Sequence, residues 1–408
     1  MKSQSNENLN STKNRKPNIF AIIILIIAIA YVVTEIFLPM KSIAPTISDV
    51  KPQELALSPV AWPTYGESAI GAANYGVLSS NGEQNGRPIA SIAKATLALA
   101  VLKEKPLKIG EQGPTYKITD QDIELYKSNL AQNGSVAPVA LGEELTEYQL
   151  LQALLVPSGD NIADTLAIWA FGSVKNYLDY INKMVGDMGL EQTHLADASG
   201  LSPQSVSSAS DLVALGEKVM GEPVLKEIVG QSQITLPVLG TAKNYNTLLG
   251  TDGIIGIKTG NTDEAGGCLL FAYTKNINGK DTTMIGAILG ASSRAKVLND
   301  TKNFVEANES AFGYSQVISK NAVVGKYVTP WGKNINILAK DDLSILTAKN
   351  NPISISVSAV DVSKPLNAGE KVGEITVKSG SKSFTVPAII AENITKPPLL
   401  WKLIHPFK

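Results

Sequence analysis

The chain has 408 residues, of which 44% are hydrophobic and 18% charged, so it folds, and a rule of roughly 150 residues per domain predicts two or three units. A formal net charge of -1 supplies no overall basic surface and argues against nucleic acid as a partner. With Cys268 the only cysteine, an intrachain disulfide and multi-thiolate zinc sites are excluded, and with His194 and His405 the only histidines, a Ser-His-Asp mechanism would have to rest on His194.

Residues 1–17 are short and carry Lys13, Arg15 and Lys16 immediately before an unbroken apolar run from Ile19 to Val33, which resumes at Ile36. Counted over 18–40, this segment exceeds the ~20 residues at ~1.5 Å each that cross the hydrocarbon layer. The basic flank predicts a cytoplasmic tail and the rest of the chain outside. A membrane anchor is preferred to a cleaved signal peptide, because the apolar run is long and no small-x-small site follows Met40. Residues 41–62, with Pro45, Pro52 and Pro59 and little periodicity, are expected to be an extended spacer.

From 63 the texture is that of a folded domain. Ala69 to Leu78 predicts a strand entering a turn at Ser79-Ser80-Asn81-Gly82. Ser91 to Lys103, rich in Ala and Leu, predicts a buried helix. Thr146 to Gln149 reads as a capping box opening a helix that Pro157 ends, and Ser208 to Asp211 opens another running to about Met220. Two apolar runs, 268–273 and 284–289, flank Asn278-Gly279 and predict a hairpin, followed by a helix over 294–312. Residues 63–314 therefore read as one α+β domain, helices against an antiparallel sheet. Over 315–392, alternating residues such as Ile335 and Ile337, or Ile375 and Val377, predict a small all-β module. The tail 393–408 mixes Leu399, Leu400, Trp401 and Phe407 with lysines, a composition suited to a membrane interface, a frayed end or a strand partner.

Three short motifs occur in order: Ser91-Ile92-Ala93-Lys94, Ser158-Gly159-Asp160-Asn161 and Lys258-Thr259-Gly260. Alone each is weak, since a Ser-x-x-Lys is expected on the order of once by chance in such a chain. Their placement adds specificity: the first opens a buried helix, the second ends another, and the third precedes an apolar strand. Three positions apart on a helix, a serine and a lysine share a face, so an uncharged amine can take the hydroxyl proton without any imidazole. Burial and a second cation such as Lys258 would both favour that uncharged form. The helix start aims backbone N–H groups at developing negative charge.

These motifs, together with Pro88 to Ser91, Gly142 to Thr146, Leu155 to Ser158, Asp197 to Pro203 and Gly256 to Gly266, make the chain resemble the low-molecular-mass penicillin-binding proteins of the D-alanyl-D-alanine carboxypeptidase family. The resemblance covers about 65–314 and, more loosely, the β module, where Asn367 to Gly373 is similar to the family's C-terminal domain. It implies a penicillin-binding, β-lactamase-like fold followed by a β-sandwich-like domain. It also implies hydrolysis of the terminal D-alanine of peptidoglycan stem pentapeptides outside the membrane, with no metal or cofactor and with β-lactams as covalent inhibitors. By resemblance Ser91 is the nucleophile, Lys94 its base and Ser158 the relay to the leaving amine. Lys258 and Thr259 would bind the terminal carboxylate, with the N–H groups of Ser91 and Asn261 as oxyanion hole, and Gly260, Asp160 and Asn161 complete the expected substrate-binding set. His194 lies outside these motifs.

One departure stands out. The second motif of the family usually ends in Asn, and here Asp160 occupies that place with Asn161 after it. An ionised Asp160 pointing inward would favour a charged Lys94. Either Asn161 supplies the amide after a one-residue adjustment, or Asp160 faces outward, or activity is reduced. The alternatives to a carboxypeptidase are a β-lactamase, for which no additional carboxylate motif is found, and a non-catalytic anchored scaffold of the same fold.

Overall fold

The computed structural model describes residues 18–405, so the cytoplasmic tail expected over 1–17 and the last three residues lie outside the described residues. The first lobe is built on a five-stranded antiparallel sheet in the order 254–262, 266–277, 280–291, 67–72, 76–81. Asn278 and Gly279, both at positive φ, make the tight turn between the two central strands. Helix Ala209–Gly221 packs against the sheet and brings Gly216 over Leu270 and Ile285. Helix Arg294–Ala307 also packs on the sheet, its Phe304 edge-on to Phe271. The main core runs from the sheet into a helical region, where Thr146 caps helix Glu147–Leu155 through the expected capping box.

Two local expectations shift. The first hairpin turns at 73–75 instead of 79–82, because Asn74 and Gly76 accept the left-handed backbone and Ala72 pairs with Gly76. The helix starting at Arg294 stops at Ala307, since buried Asn308 turns its side chain to the carbonyls of Phe304 and Ala61 and to the N–H of Ala61. Phe312 then begins a strand.

The second lobe is all β, with a six-stranded sheet ordered 45–47, 323–328, 334–339, 382–390, 371–379, 353–359 and a separate pair, 312–318 with 343–348. Its first strand corrects the expected spacer. Pro45–Ile47 pairs with Val323–Val328, Ile43 bridges Val362, and Met40 and Ile43 are buried in this lobe's core. Pro45 is tolerated because it opens an edge strand, where an N–H is not required. Proline and weak periodicity suit such an edge as well as a spacer, so the segment's sequence does not separate the two.

Helix Ile19–Phe37 exposes nearly all its apolar side chains and is long and apolar enough to cross a membrane. Its end is gripped by the tail, which forms a short helix, Leu399–Ile404. Lys402 Nζ donates to the carbonyls of Glu35 (2.8 Å) and Leu38 (2.9 Å), satisfying groups that a helix C-terminus leaves open. Tyr31 donates to Leu403 O at 3.0 Å, and Trp401 lies edge-on to Trp331 of the β lobe.

Candidate active site

Ser91 lies in a single 3-10 turn, Ala90–Ile92, that feeds helix Ala93–Glu104. The helix is buried almost all round, as its composition predicts, and includes a Lys94 with no exposed surface. One turn on from Ser91, Lys94 Nζ donates to three oxygens: Ser91 Oγ at 2.8 Å, the Ser199 carbonyl at 2.8 Å and Asp160 Oδ1 at 2.5 Å. Three donors on an ammonium meet three acceptors.

The turn before the helix is tightly framed. Ala90 has a left-handed φ of +47°, and Ser158 one of +64°. Such conformations cost about 1–3 kcal/mol each and persist where neighbours hold them. Two glycines let the backbone close around Ser91: a Cβ on Gly260 would come 2.6 Å from Ile89 O and 3.3 Å from Ser91 N, and one on Gly200 would come 1.9 Å from Ala90 O. The strand edge at Gly260 thus runs against the backbone N–H of Ser91.

Lys258, on strand Ile254–Thr262, donates to Ser158 Oγ at 3.0 Å and to Thr259 O at 3.1 Å. Burial holds its ammonium well below the usual lysine range; Lys94 and Arg294 push the same way, and Asp160 opposes. Thr259 is nearly buried beside it. Asn261 is exposed, and its Oδ1 accepts from the backbone N–H of Arg294 at 2.9 Å.

Of the residues picked out from sequence, Ser91, Lys94 and Asp160 are bonded together, and Ser158 is bonded to Lys258. Asp160 does not face outward. It opens helix Asp160–Phe171, where an acidic residue complements the helix dipole, and its carboxylate turns inward onto Lys94. Asn161 does not supply the missing amide and faces no substrate groove. Its Oδ1 accepts from Ala137 N and its Nδ2 donates to Ala137 O, both at 2.9 Å, so it clamps the neighbouring loop. Asn161→Ala should therefore lower stability by about 2–3 kcal/mol, two buried hydrogen bonds being lost with their loop partners stranded, and a urea midpoint equal to wild type would refute the clamp.

Sequence reasoning missed three contributors. The Ser199 carbonyl is held in place by Asp197, whose carboxylate accepts from Ser199 Oγ and Leu201 N at 2.8 Å each and from Ser205 Oγ. A backbone acceptor leaves no type signature, although the segment Asp197 to Pro203 stands out on the resemblance. Arg294 begins the helix after the hairpin, its guanidinium over the Tyr245 ring at 4.4 Å, and lines with Asn261, Val136 and Pro157 a cavity of about 1160 Å³. A lone arginine outside the three motifs gave no signal. His194 lies aside: its backbone exchanges hydrogen bonds with Val206. His405 stacks on Trp401 at the anchor.

A family model described as D-alanyl-D-alanine carboxypeptidase matches residues 69–293, and one described as the penicillin-binding protein 5 C-terminal domain matches 312–396. The chain belongs to the D-alanyl-D-alanine carboxypeptidase family. The membership makes it a serine carboxypeptidase by class, with the fold expected from the motifs. Among its relatives, D-alanyl-D-alanine carboxypeptidase DacF of Bacillus subtilis is 24% identical over 267 residues, 62% of this chain and 68% of that one. DacD of Escherichia coli is 24% identical over 269 residues, 62% and 67% of the two chains. The crystal structure of DacD from Francisella tularensis superposes with a TM-score of 0.63 at 18% identity, covering 85% of this chain and 97% of that one. Penicillin-binding protein 5 from Haemophilus influenzae gives 0.61 at 18% identity, over 86% and 99%. At 18% identity these two are likenesses of fold.

Proposed function

We propose that this chain is a membrane-anchored D-Ala-D-Ala carboxypeptidase that removes the terminal D-alanine from peptidoglycan stem pentapeptides through an acyl-enzyme on Ser91, and that β-lactams acylate the same oxygen. The observation that carries this reading is the 2.8 Å contact between Ser91 Oγ and the Nζ of a fully buried Lys94. A nucleophile and base at hydrogen-bond distance, with the base oriented by further groups, satisfy the geometric requirement for an activated serine.

In this reading Ser91 Oγ attacks the carbonyl of the penultimate D-alanine while its proton passes to Lys94. The oxyanion is received by the backbone N–H groups of Ser91 and Asn261, donors fixed before the charge develops. As the C–N bond breaks, Ser158, bonded to Lys258, hands a proton to the leaving amine, and water then hydrolyses the acyl-enzyme. Lys258 is nearly buried and already bonded, so the substrate carboxylate is assigned to the Thr259 hydroxyl with Arg294 as the accessible cation. Peptidase residues 63–314 and the β module from 315 stand outside the cytoplasmic membrane, with helix Ile19–Phe37 as the single span, N-terminus inside.

The test uses the full chain in detergent. Wild type should be labelled by a fluorescent penicillin and release D-alanine from a stem pentapeptide, and Ser91→Ala should do neither. A correctly folded wild type that takes no label and frees no D-alanine would end this reading.

A further inference from the structure

Asp160 is where this chain parts from its family's second motif, and the structure puts the exchanged atom on the general base itself. An amide at this place can only orient Lys94; a carboxylate can also take a proton from it. Lys94 is fully buried and Asp160 is 1% exposed, with 2.5 Å between Nζ and Oδ1. An ammonium donating to Ser91 Oγ, Ser199 O and Asp160 has no lone pair with which to accept the serine proton. Some group must remove one proton first, and solvent has no direct access.

We propose that Asp160 is the proton acceptor that arms the serine–lysine pair: one proton of the Lys94 ammonium moves to the Asp160 carboxylate, and the resulting amine accepts the proton of Ser91. The proposal rests on Ser91 being the nucleophile. The transfer turns an ion pair into an amine and a carboxylic acid, so the net charge of the buried pair stays zero. Low polarity favours the uncharged form. Rotation about the Cε–Nζ bond by one staggered position then aims the amine lone pair at Ser91 Oγ, with N–H groups toward Ser199 O and Asp160. As the Oγ–C bond forms, the serine proton moves to Nζ. As the C–N bond breaks, it passes by way of Ser158 to the leaving amine. The first proton stays on Asp160 until water has cleaved the ester and Ser91 has regained its hydrogen, which restores the ion pair. Every proton is accounted for, and water is the one co-reactant.

The charged groups around the pair set its balance. Lys258 on the facing strand has its ammonium disfavoured by burial and by Lys94, and Arg294 stands farther out at the start of its helix. On Asp160's own helix Asp164 is raised, first by burial and then by the charges of Asp197 and Asp160, against a lowering by its Asn129 hydrogen bond and by Lys94. Asp197 in the loop behind Ser199 completes the set.

The experiment is the pH dependence of penicillin acylation for the full-length wild type and Asp160→Asn. In wild type the active arrangement needs only that the buried pair hold a single proton between its two members. In Asp160→Asn the ammonium must lose its proton to solvent, so the acid limb should move to higher pH by about one unit or more, each unit being about tenfold in rate on the limb. Above that limb the variant, freed of the carboxylate that holds the amine, should exceed wild type, so the two curves cross. Asp160→Glu, which keeps an acid on the lysine, should keep the wild-type limb at reduced height and serves if the asparagine variant misfolds. Parallel curves for Asp160→Asn, or a glutamate variant displaced to higher pH, would overturn the proposal and leave the acyl-enzyme reading intact. A wild type that takes no label, with Asp160→Asn equally silent, removes both.

Discussion

Lys94→Ala is expected to cut penicillin acylation by roughly 10²–10⁴-fold, the usual contribution of a positioned general base. A second effect should accompany it. The substitution leaves Asp160 buried without its partner, and breaking a buried ion pair by removing one member costs about 3–5 kcal/mol. The two effects separate in the double variant Lys94→Ala with Asp160→Asn. Removing both charges should return most of the stability and none of the acylation, because the base remains absent. Thermal unfolding followed by circular dichroism reads the first quantity and a fluorescent-penicillin time course the second. Acylation at the wild-type rate by a folded Lys94→Ala protein would take Lys94 out of the mechanism.

Gly200→Ala should damage both fold and chemistry through crowding. Its φ of +83° would by itself cost an alanine about 1 kcal/mol. Beyond that, the new Cβ would lie 1.9 Å from the carbonyl oxygen of Ala90, the residue before Ser91. Either the Asp197–Pro203 segment withdraws, taking the Ser199 carbonyl off Lys94, or the turn carrying Ser91 shifts. A displacement of about 1 Å at a reacting group is worth roughly 10²-fold in rate, and total destabilisation should reach about 2–4 kcal/mol. Gly189→Ala is the control: it shares a positive φ, +73°, but nothing lies within 4 Å of its Cβ position. Urea midpoints for the two variants give the comparison, and equal losses would mean that backbone conformation alone explains both.

The parts of this molecule legible in sequence are those governed by short-range geometry. A lysine three residues after a serine must share its helix face, Thr146 with Gln149 must cap, and Asn278-Gly279 must turn, so the Ser91–Lys94 contact, the sheet's central hairpin and the helix starts could be read off directly. What the sequence left open depends on where distant segments meet. Asp160 is 66 residues from Lys94 and Ser199 is 105, and local pattern does not fix which way a carboxylate at a helix start will turn. The sequence posed Asp160 or Asn161 as the residue on the lysine; packing chose Asp160, because the Ala137 loop occupies the amide of Asn161. The edge strand 45–47 was illegible for a different reason. Its partner, Val323–Val328, lies about 280 residues further along the chain, and three residues carry too little alternation to announce a strand.

The grip of Lys402 on the last carbonyls of the apolar helix, with Pro45–Ile47 stitched into the distal sheet, bears on geography. A protein tied to a bilayer by a loose string would sample a hemisphere of positions; one whose mast is lashed at the deck cannot. If that mast is embedded as proposed, the contacts at its base would hold Ser91 at a set altitude above the lipid, with the β lobe as the spacer between them.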